Sequence, residues 1–379
     1  MQPSSEIPLS DGHMRAAQPE DGPALCALFA AITMRADLEL AVERDPDFFA
    51  LYALHEAEAR TFVLEIDGRI EGLGSVLGRA GYLAGEPVRV GYAGDLRLSP
   101  KVRGGRFLGQ HFGPYFARCC AELGCEVALT AVITTNQAAL RGLVARSDRY
   151  PNKPVYRLWR AYSILNVQLT LPRRPRPTAL TVRTATAADL PAIADHLAAD
   201  YRQRPFGEVV DADILRARLA RWPGLRIEHF YLAFAGAQLV GVTAPWDAAP
   251  VKRFRVRAWR GRMRWMRWAG NALAWAVGAP RLPGVGGSFR YVYLTHVSIV
   301  GEDPAVMAAL VDRIYADLRP QGYHFFSVCV WEGDPLAPAF DRFQKTALAA
   351  GLYTMVMPGT RLDGHDLGAG RPGFEMALV

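Results

Sequence analysis

The chain has 379 residues, half of them hydrophobic, with 8 tryptophans and 14 tyrosines. That length exceeds one ordinary core and that composition excludes a disordered or fibrous protein, so two folded domains are expected. A net charge of +7 is modest for the size, and the five cysteines show no metal-ligand spacing, which suits a reducing compartment.

No apolar run approaches the roughly 18 residues of a membrane-spanning helix. The opening MQPSSEIPLSDGH lacks the charged-then-apolar pattern of a secretion signal, so a cytoplasmic location is expected. From Met14, MRAAQPEDGPAL reads as a short strand, a helix start and an amphipathic helix. FVLEIDGRIEG, from Phe62, reads as a hairpin with a glycine turn. GYAGDLRLS then alternates like a strand, PKVRGGRFLGQHFG is a basic glycine-rich turn, and PYFARCCAEL has helical spacing. Cys119 and Cys120 are neighbours on that helix and point to different faces, which predicts no disulfide between them. A further strand follows at VALTAVITTN, Val127 to Asn136.

The same order then repeats. VRTATAADLPAI at Val182 matches the opening at an offset of 168 residues, pairing Arg15 with Arg183, Ala17 with Ala185, Asp21 with Asp189 and Pro23 with Pro191. At the same offset YLAFAGAQLVG matches the hairpin, with Gly236 on Gly68. GDLRLSP matches THVSIVG at about 201, so His296 falls on Asp95 and the second copy carries an insertion. The prolines of LPRRPRP forbid a regular element. The expected organisation is therefore a first domain over 1–171, a linker over 172–177, and a second domain over 178–379 with an insertion at about 250–288.

The insertion is basic and tryptophan-rich. Between Val251 and Trp268 it holds eight basic residues and no acid. Phe254 and Val256 alternate with Arg253, Arg255 and Arg257 as in a strand. From about Trp259 a helix is expected, with Trp259, Met263, Met266, Gly270 and Leu273 in one apolar stripe and arginines 260, 262, 264 and 267 largely off it. Such a helix is either a lid over the core or a surface for an anionic membrane or an acidic protein such as an acyl carrier protein. Outside this segment the chain is nearly neutral, so nucleic acid is not indicated.

The order of elements, with a basic glycine loop after the fourth strand, resembles the GNAT family of acyl-CoA-dependent N-acyltransferases. DLRLSPKVRGGRFLGQHF resembles its acyl-CoA motif, an Arg/Gln-x-x-Gly-x-Gly/Ala loop opening a helix. Arg103 and Gly104 match. Arg106 and Leu108 stand where small residues are usual, with Gly105 and Gly109 beside them. Independently of the family, a helix N-terminus offers unpaired N–H groups and partial positive charge, and glycine lets a diphosphate approach closely. The resemblance implies two copies of an α/β (α+β) fold, each a mixed, mostly antiparallel sheet flanked by helices. It implies acetyl-CoA or another acyl-CoA bound by Leu98, Arg103, Gly104, Gly105, Arg106, Phe107, Leu108, Gly109 and Asn136.

For catalysis it implies a carbonyl-polarising amide at Leu98, on a strand splayed over Leu96 to Ser99, and a carboxylate base at Asp95. Asp95 also reads as an ordinary solvated strand-end acid. NQAALRGL resembles the family's Asn-x-x-Ala-x-x-x-Tyr helix, with Asn136 and Ala139 in place but Leu143 at the tyrosine. The thiolate is then protonated by Tyr150 or Tyr156, or leaves unassisted or through water. His111 faces the phosphates or is plain helix surface. In the second copy IVGEDPAVMAAL puts Glu302, Asp303 and Pro304 where the loop should be. Carboxylates there cap a helix and repel a diphosphate, so that copy is expected to be degenerate. His296 reads as a packed strand residue before it reads as a base.

No metal motif occurs. The expected activity is acyl transfer, most simply acetyl, to a small amine or amino-acid-like acceptor. The rivals are a non-catalytic tandem scaffold and a transferase whose donor rides on an acyl carrier protein.

Overall fold

The computed structural model describes residues 7–9, 12–33, 37–102, 112–125, 127–145, 153–357, 367–368 and 370–379. The N-terminal copy contains β1 (Ile7–Leu9), β2 (Gly12–Ala16), α1 (Gly22–Ala31), β3 (Leu38–Glu43), β4 (Ala57–Ile66), β5 (Arg69–Leu83), β6 (Glu86–Leu98), α2 (Gly113–Leu123), β7 (Val127–Ile133), α3 (Gln137–Ala139) and β8 (Val155–Gln168). The C-terminal copy contains β9 (Thr181–Thr184), α4 (Leu190–Gln203), α5 (Ala212–Arg221), β10 (Tyr231–Ala235), β11 (Gln238–Trp246), β12 (Arg253–Trp259), α6 (Gly261–Ala276), β13 (Tyr291–Ile299), α7 (Pro304–Leu318), β14 (Phe325–Trp331) and β15 (Lys345–Val356).

The internal repeat is visible at atomic detail. Arg15 Nη1 lies 2.7 Å from Asp21 Oδ2, and Arg183 Nη2 lies 2.6 Å from Asp189 Oδ1. Each aspartate also closes a capping box, with Gln18 in one copy and Thr186 in the other. An arginine six residues before a helix-start acid thus ties strand to helix twice.

Thirteen strands form one continuous sheet in the order β1-β2-β4-β5-β6-β7-β15-β8-β14-β13-β11-β10-β9. All neighbours are antiparallel except β6–β7 and β13–β14. The copies exchange their final strands: β15 lies between β7 and β8, and β8 pairs with β14. Residues 171–177 run without regular structure between β8 and β9, yet the strands on either side of them belong to a shared sheet. Helices cover the sheet with stripes at three- and four-residue spacing; α7 alone buries Val306, Met307, Leu310, Val311, Ile314 and Leu318. Full burial of each such side chain is worth about 1.5–3 kcal/mol.

The insertion forms a strand and then a helix, as expected, but the helix is turned differently. Strand β12 keeps Trp259 and pairs with β3 in a separate two-stranded sheet. The helix begins only at Gly261, so its inner arc is Met263, Arg267, Gly270, Asn271 and Ala274. Met266 and Leu273, expected on one stripe with Met263 and Gly270, are exposed while those two face inward. Half of the basic run is neutralised locally: Arg255 and Arg257 bond Glu43, Arg253 bonds Asp45, and Arg260 bonds Glu39. All five cysteines are free, including Cys119 and Cys120.

Candidate active site between the two copies

Parallel pairing of β6 with β7 lasts only from Val90↔Val127 to Tyr92↔Leu129. Beyond that, β6 follows β5 as far as Leu98, while β7 follows β15 to Ile133. The two strands therefore part and leave a wedge. A bulge sits at its mouth: Leu73 pairs Arg97 and Ser75 pairs Gly94, so Asp95 and Leu96 together oppose Gly74. Asp95 adopts a left-handed φ of 56°, a conformation rare for a side chain outside turns and bulges.

The end of β6 is anchored. The Ser99 amide donates to Glu71 O at 2.8 Å, and Lys101 Nζ lies 2.7 Å from Glu71 Oε1. A short turn, Pro100–Val102, follows. The expected phosphate-binding residues Arg103, Gly104, Gly105, Arg106, Phe107, Leu108 and Gly109, together with His111 and Tyr150, lie outside the described residues. The sequence around them has the donor chemistry of a diphosphate site, with no acid between Asp95 and Glu122, and α2 starts directly after them.

Asp95 is committed to an ion pair. Its Oδ1 accepts from Arg44 Nη2 at 2.9 Å, its Oδ2 lies 2.7 Å from Arg44 Nη1, and Tyr52 Oη donates to Oδ2 at 2.6 Å. Arg44 is buried among the rings of Phe29, Phe48 and Tyr52. Burial pushes the Asp95 carboxyl up, but Arg44 and the Tyr52 hydroxyl outweigh it and hold the group below the usual carboxylate range. With 14% of its side chain exposed, it is not a solvated strand-end acid, and its pairing with Arg44 holds it ionised.

Leu98 is the last residue of the β5–β6 ladder, opposite Gly72. Tyr156 lies on β8 opposite Met355, rather than in a loop, and borders the same apolar cluster as Leu96, Leu98 and Leu143. Burial raises its phenol above the usual range, so it keeps its proton at neutral pH. Asn136 is exposed and spends its Oδ1 as an N-cap, accepting from the Ala139 amide at 3.1 Å.

The second copy repeats the wedge and the bulge. Parallel pairing of β13 with β14 stops at Tyr293↔Ser327, and His296 with Val297 forms the bulge opposite Thr243. His296 has a φ of 53°, matching Asp95. It is packed and hydrogen-bonded. Thr295 Oγ1 donates to Ala244 O and so accepts from His296 Nδ1, while His296 Nε2 accepts from Arg218 Nη1 at 3.2 Å. Burial, with the Arg218 charge, lowers its imidazole to about 3 and keeps it neutral. Arg218 is itself held 2.7 Å from Glu56 Oε2 and 2.6 Å from Glu208 Oε2. At the loop position Asp303 caps α7, its Oδ1 accepting from the Ala305 amide at 2.8 Å.

The segment 370–379 runs between the wedges. Arg79 Nη2 donates to Phe206 O at 2.7 Å and Gly373 O at 2.8 Å, and Lys252 Nζ to Ala377 O at 3.1 Å. A Cβ on Gly373 would stand 2.2 Å from Gly207 Cα, so the two backbones cross where only glycine fits. Two clefts flank this segment. One, enclosing about 560 Å³ open to solvent, is lined among others by Tyr201, Arg204, Glu208, Trp331, Arg371 and Glu375. The other, about 410 Å³, is lined among others by His55, Arg79, Gly91, Tyr92, Leu129 and Glu375.

Glu375 borders both clefts. Its Oε2 accepts from the His296 amide at 3.3 Å and its Oε1 from the Ala377 amide at 3.2 Å. Burial, helped by the nearby Glu208 charge, raises its carboxyl to about 7. The sequence offered no motif for it: a lone glutamate in GFEMALV gains its raised carboxyl from burial by the fold and from Glu208, far away in the chain.

A repeated, bulged and splayed sheet of this topology decides the architecture. The fold is that of the GCN5-related N-acetyltransferases. No family model matches the chain, and no curated protein sequence does. Solved structures do. A GCN5-related N-acetyltransferase from Sphaerobacter thermophilus is 15% identical and superposes with a TM-score of 0.57, covering 93% of this chain and 98% of its own. Saccharomyces cerevisiae N-myristoyltransferase with bound myristoyl-CoA is 10% identical with a TM-score of 0.59, covering 94% of this chain and 81% of its own. Likeness across nearly the whole chain at such low identity is a likeness of the GNAT fold. No helix among the described residues is long and apolar enough to cross a membrane.

Proposed function

We propose that this protein is an acyl-CoA-dependent N-acyltransferase whose donor binds along the β6–β7 wedge of the first copy. The observation that carries the reading is the asymmetry of the two wedges. The strand of the first wedge is followed in sequence by the basic, acid-free and glycine-rich stretch Arg103 to Gly109, whereas that of the second is followed by a helix already capped by Asp303. A diphosphate gains backbone N–H groups and guanidinium in the first place and meets a carboxylate in the second.

The acceptor amine enters between the copies, at the clefts bordered by Glu375. Transfer forms one C–N bond and breaks one C–S bond. The amine must lose a proton, and Glu375, with a carboxyl at about 7, is poised to accept it near neutrality. Asp95, paired with Arg44, positions the bulge at the wedge mouth. Tyr156 keeps its phenolic proton but stands in the row of Met355, Ala128 and Gly91, at the paired base of the wedge rather than at Leu98, so the departing sulfur takes its proton from water. Carboxylates and guanidinium groups share the larger cleft, which suits a small, amino-acid-like acceptor carrying both charges.

Of the solved structures of this fold, one is an acetyltransferase and another holds myristoyl-CoA, so donors of both lengths belong in the test. Isothermal titration with acetyl-CoA and with longer acyl-CoAs is expected to give saturable binding. Arg103→Glu is expected to weaken it by about ten- to a hundredfold, the worth of a charge-assisted hydrogen bond. No binding by either form overturns the reading in favour of a scaffold. Weak CoA binding with strong retention on an acyl-carrier-protein column moves the donor to that carrier.

A further inference from the structure

The outer face of α6 is apolar where a surface helix should be polar. Trp265, Trp268 and Trp275 are 70%, 73% and 76% exposed, and Met266 and Leu273 are 56% and 43% exposed. At 100° per residue, Trp265, Trp268, Ala272 and Trp275 lie on the side opposite Met263, Arg267, Gly270 and Ala274. The inner arc is clamped. Asn271 Oδ1 accepts from the Leu282 amide at 2.7 Å, Arg267 Nε donates to Pro283 O at 3.1 Å, and Ala274 is buried. Among the described residues the outer arc is met by its own helix's Arg264, over the Trp265 ring, and its indoles otherwise stand in solvent. Three bare indoles on one short helix exceed the scattered apolar exposure of a soluble surface.

The charges that the insertion itself carries have one sign, and the acids at the helix start are Asp37, beside Gly261, and Glu39, paired with Arg260. No acid occurs between Asp247 and Glu302, and Arg262 and Arg264 flank the tryptophans with no carboxylate partner among the described residues. From these placements we infer that α6 is a membrane-contact helix, lying in the headgroup region of an anionic bilayer with Trp265, Trp268 and Trp275 inserted. Sixteen residues span about 24 Å, short of the roughly 30 Å hydrocarbon core, so the helix lies in the plane and does not cross. Indoles favour the interface because they bury a ring and keep an N–H in the wet layer. An acidic protein surface would match the arginines and give three tryptophans no apolar layer to enter. The assignment is independent of the acyl-transfer reading.

Flotation with vesicles tests it. The full chain is expected to float with phosphatidylcholine vesicles containing phosphatidylglycerol and to stay behind with phosphatidylcholine alone. Trp265→Ser/Trp268→Ser/Trp275→Ser is expected to lose flotation with an unchanged thermal melt, because these side chains are exposed. Arg262→Ala/Arg264→Ala is expected to partition about thirtyfold more weakly. A second measurement needs no variant: lipids brominated high on the acyl chain should quench the tryptophan fluorescence of the native protein. Absence of quenching, failure of the native chain to bind anionic vesicles, or undiminished binding by the triple serine variant overturns the proposal. So does a dimer in sedimentation velocity that the serine variant dissolves, which would give the face to a second copy.

Discussion

Replacing Glu375 with glutamine should change the pH dependence of stability in a way no surface substitution would. The carboxyl is raised from 4.5 to about 7 in the folded protein by burial and by Glu208. Between those values the folded state keeps a proton that the unfolded chain releases, so stability contributed by the protonated group is present below about pH 4.5 and lost as pH rises through about 7. At 1.36 kcal/mol per pH unit the loss amounts to about 3 kcal/mol. Glutamine stays neutral throughout, so the native protein and the variant should be closest near pH 4.5 and diverge above it. Urea unfolding at half-unit steps from pH 4.5 to 8.5 measures this, with the variant gaining up to about 3 kcal/mol on the native protein. Parallel curves for the two proteins would refute the placement of Glu375 beside Glu208. If Glu375 also accepts the amine proton, the same variant loses the acidic limb of the kcat/KM profile.

Arg218→Met leaves Glu56 and Glu208 without their buried partner and should cost about 3–5 kcal/mol at pH 7. Adding Glu208→Gln should recover part of it, and a double variant no better than the single one would sink the pairing. Asp95→Asn strands the buried Arg44 in the same way, with a comparable loss on thermal melting. Native-like stability combined with lost activity would instead return Asp95 to the role of base.

The repeat was legible because its cues are local. Arg15 and Arg183, Asp21 and Asp189 stand at fixed spacing, and the hairpins and their glycines follow the same offset. That much sufficed for the two-fold α/β order, for the helix cap at Asp303 and for the strand-then-helix form of the insertion. The bulge was half legible: aligning Asp95 with His296 named the right position, while the left-handed backbone and the arginine facing each residue came from the fold. Which arc of α6 faces inward was not legible, because it is decided by what packs there, Leu282 and Pro283 against Asn271 and Arg267 and the placing of β12 on β3, some two hundred residues apart in the chain.

The sequence determined which elements form and that they form twice, since caps, turns and alternation act over a few residues. Only the tertiary structure decided the exchange of β8 and β15, the path of 370–379 between the wedges, and the neutral-range carboxyl of Glu375. Those depend on contacts between residues far apart in the chain, and on the removal of water around charges that no short stretch of sequence encodes.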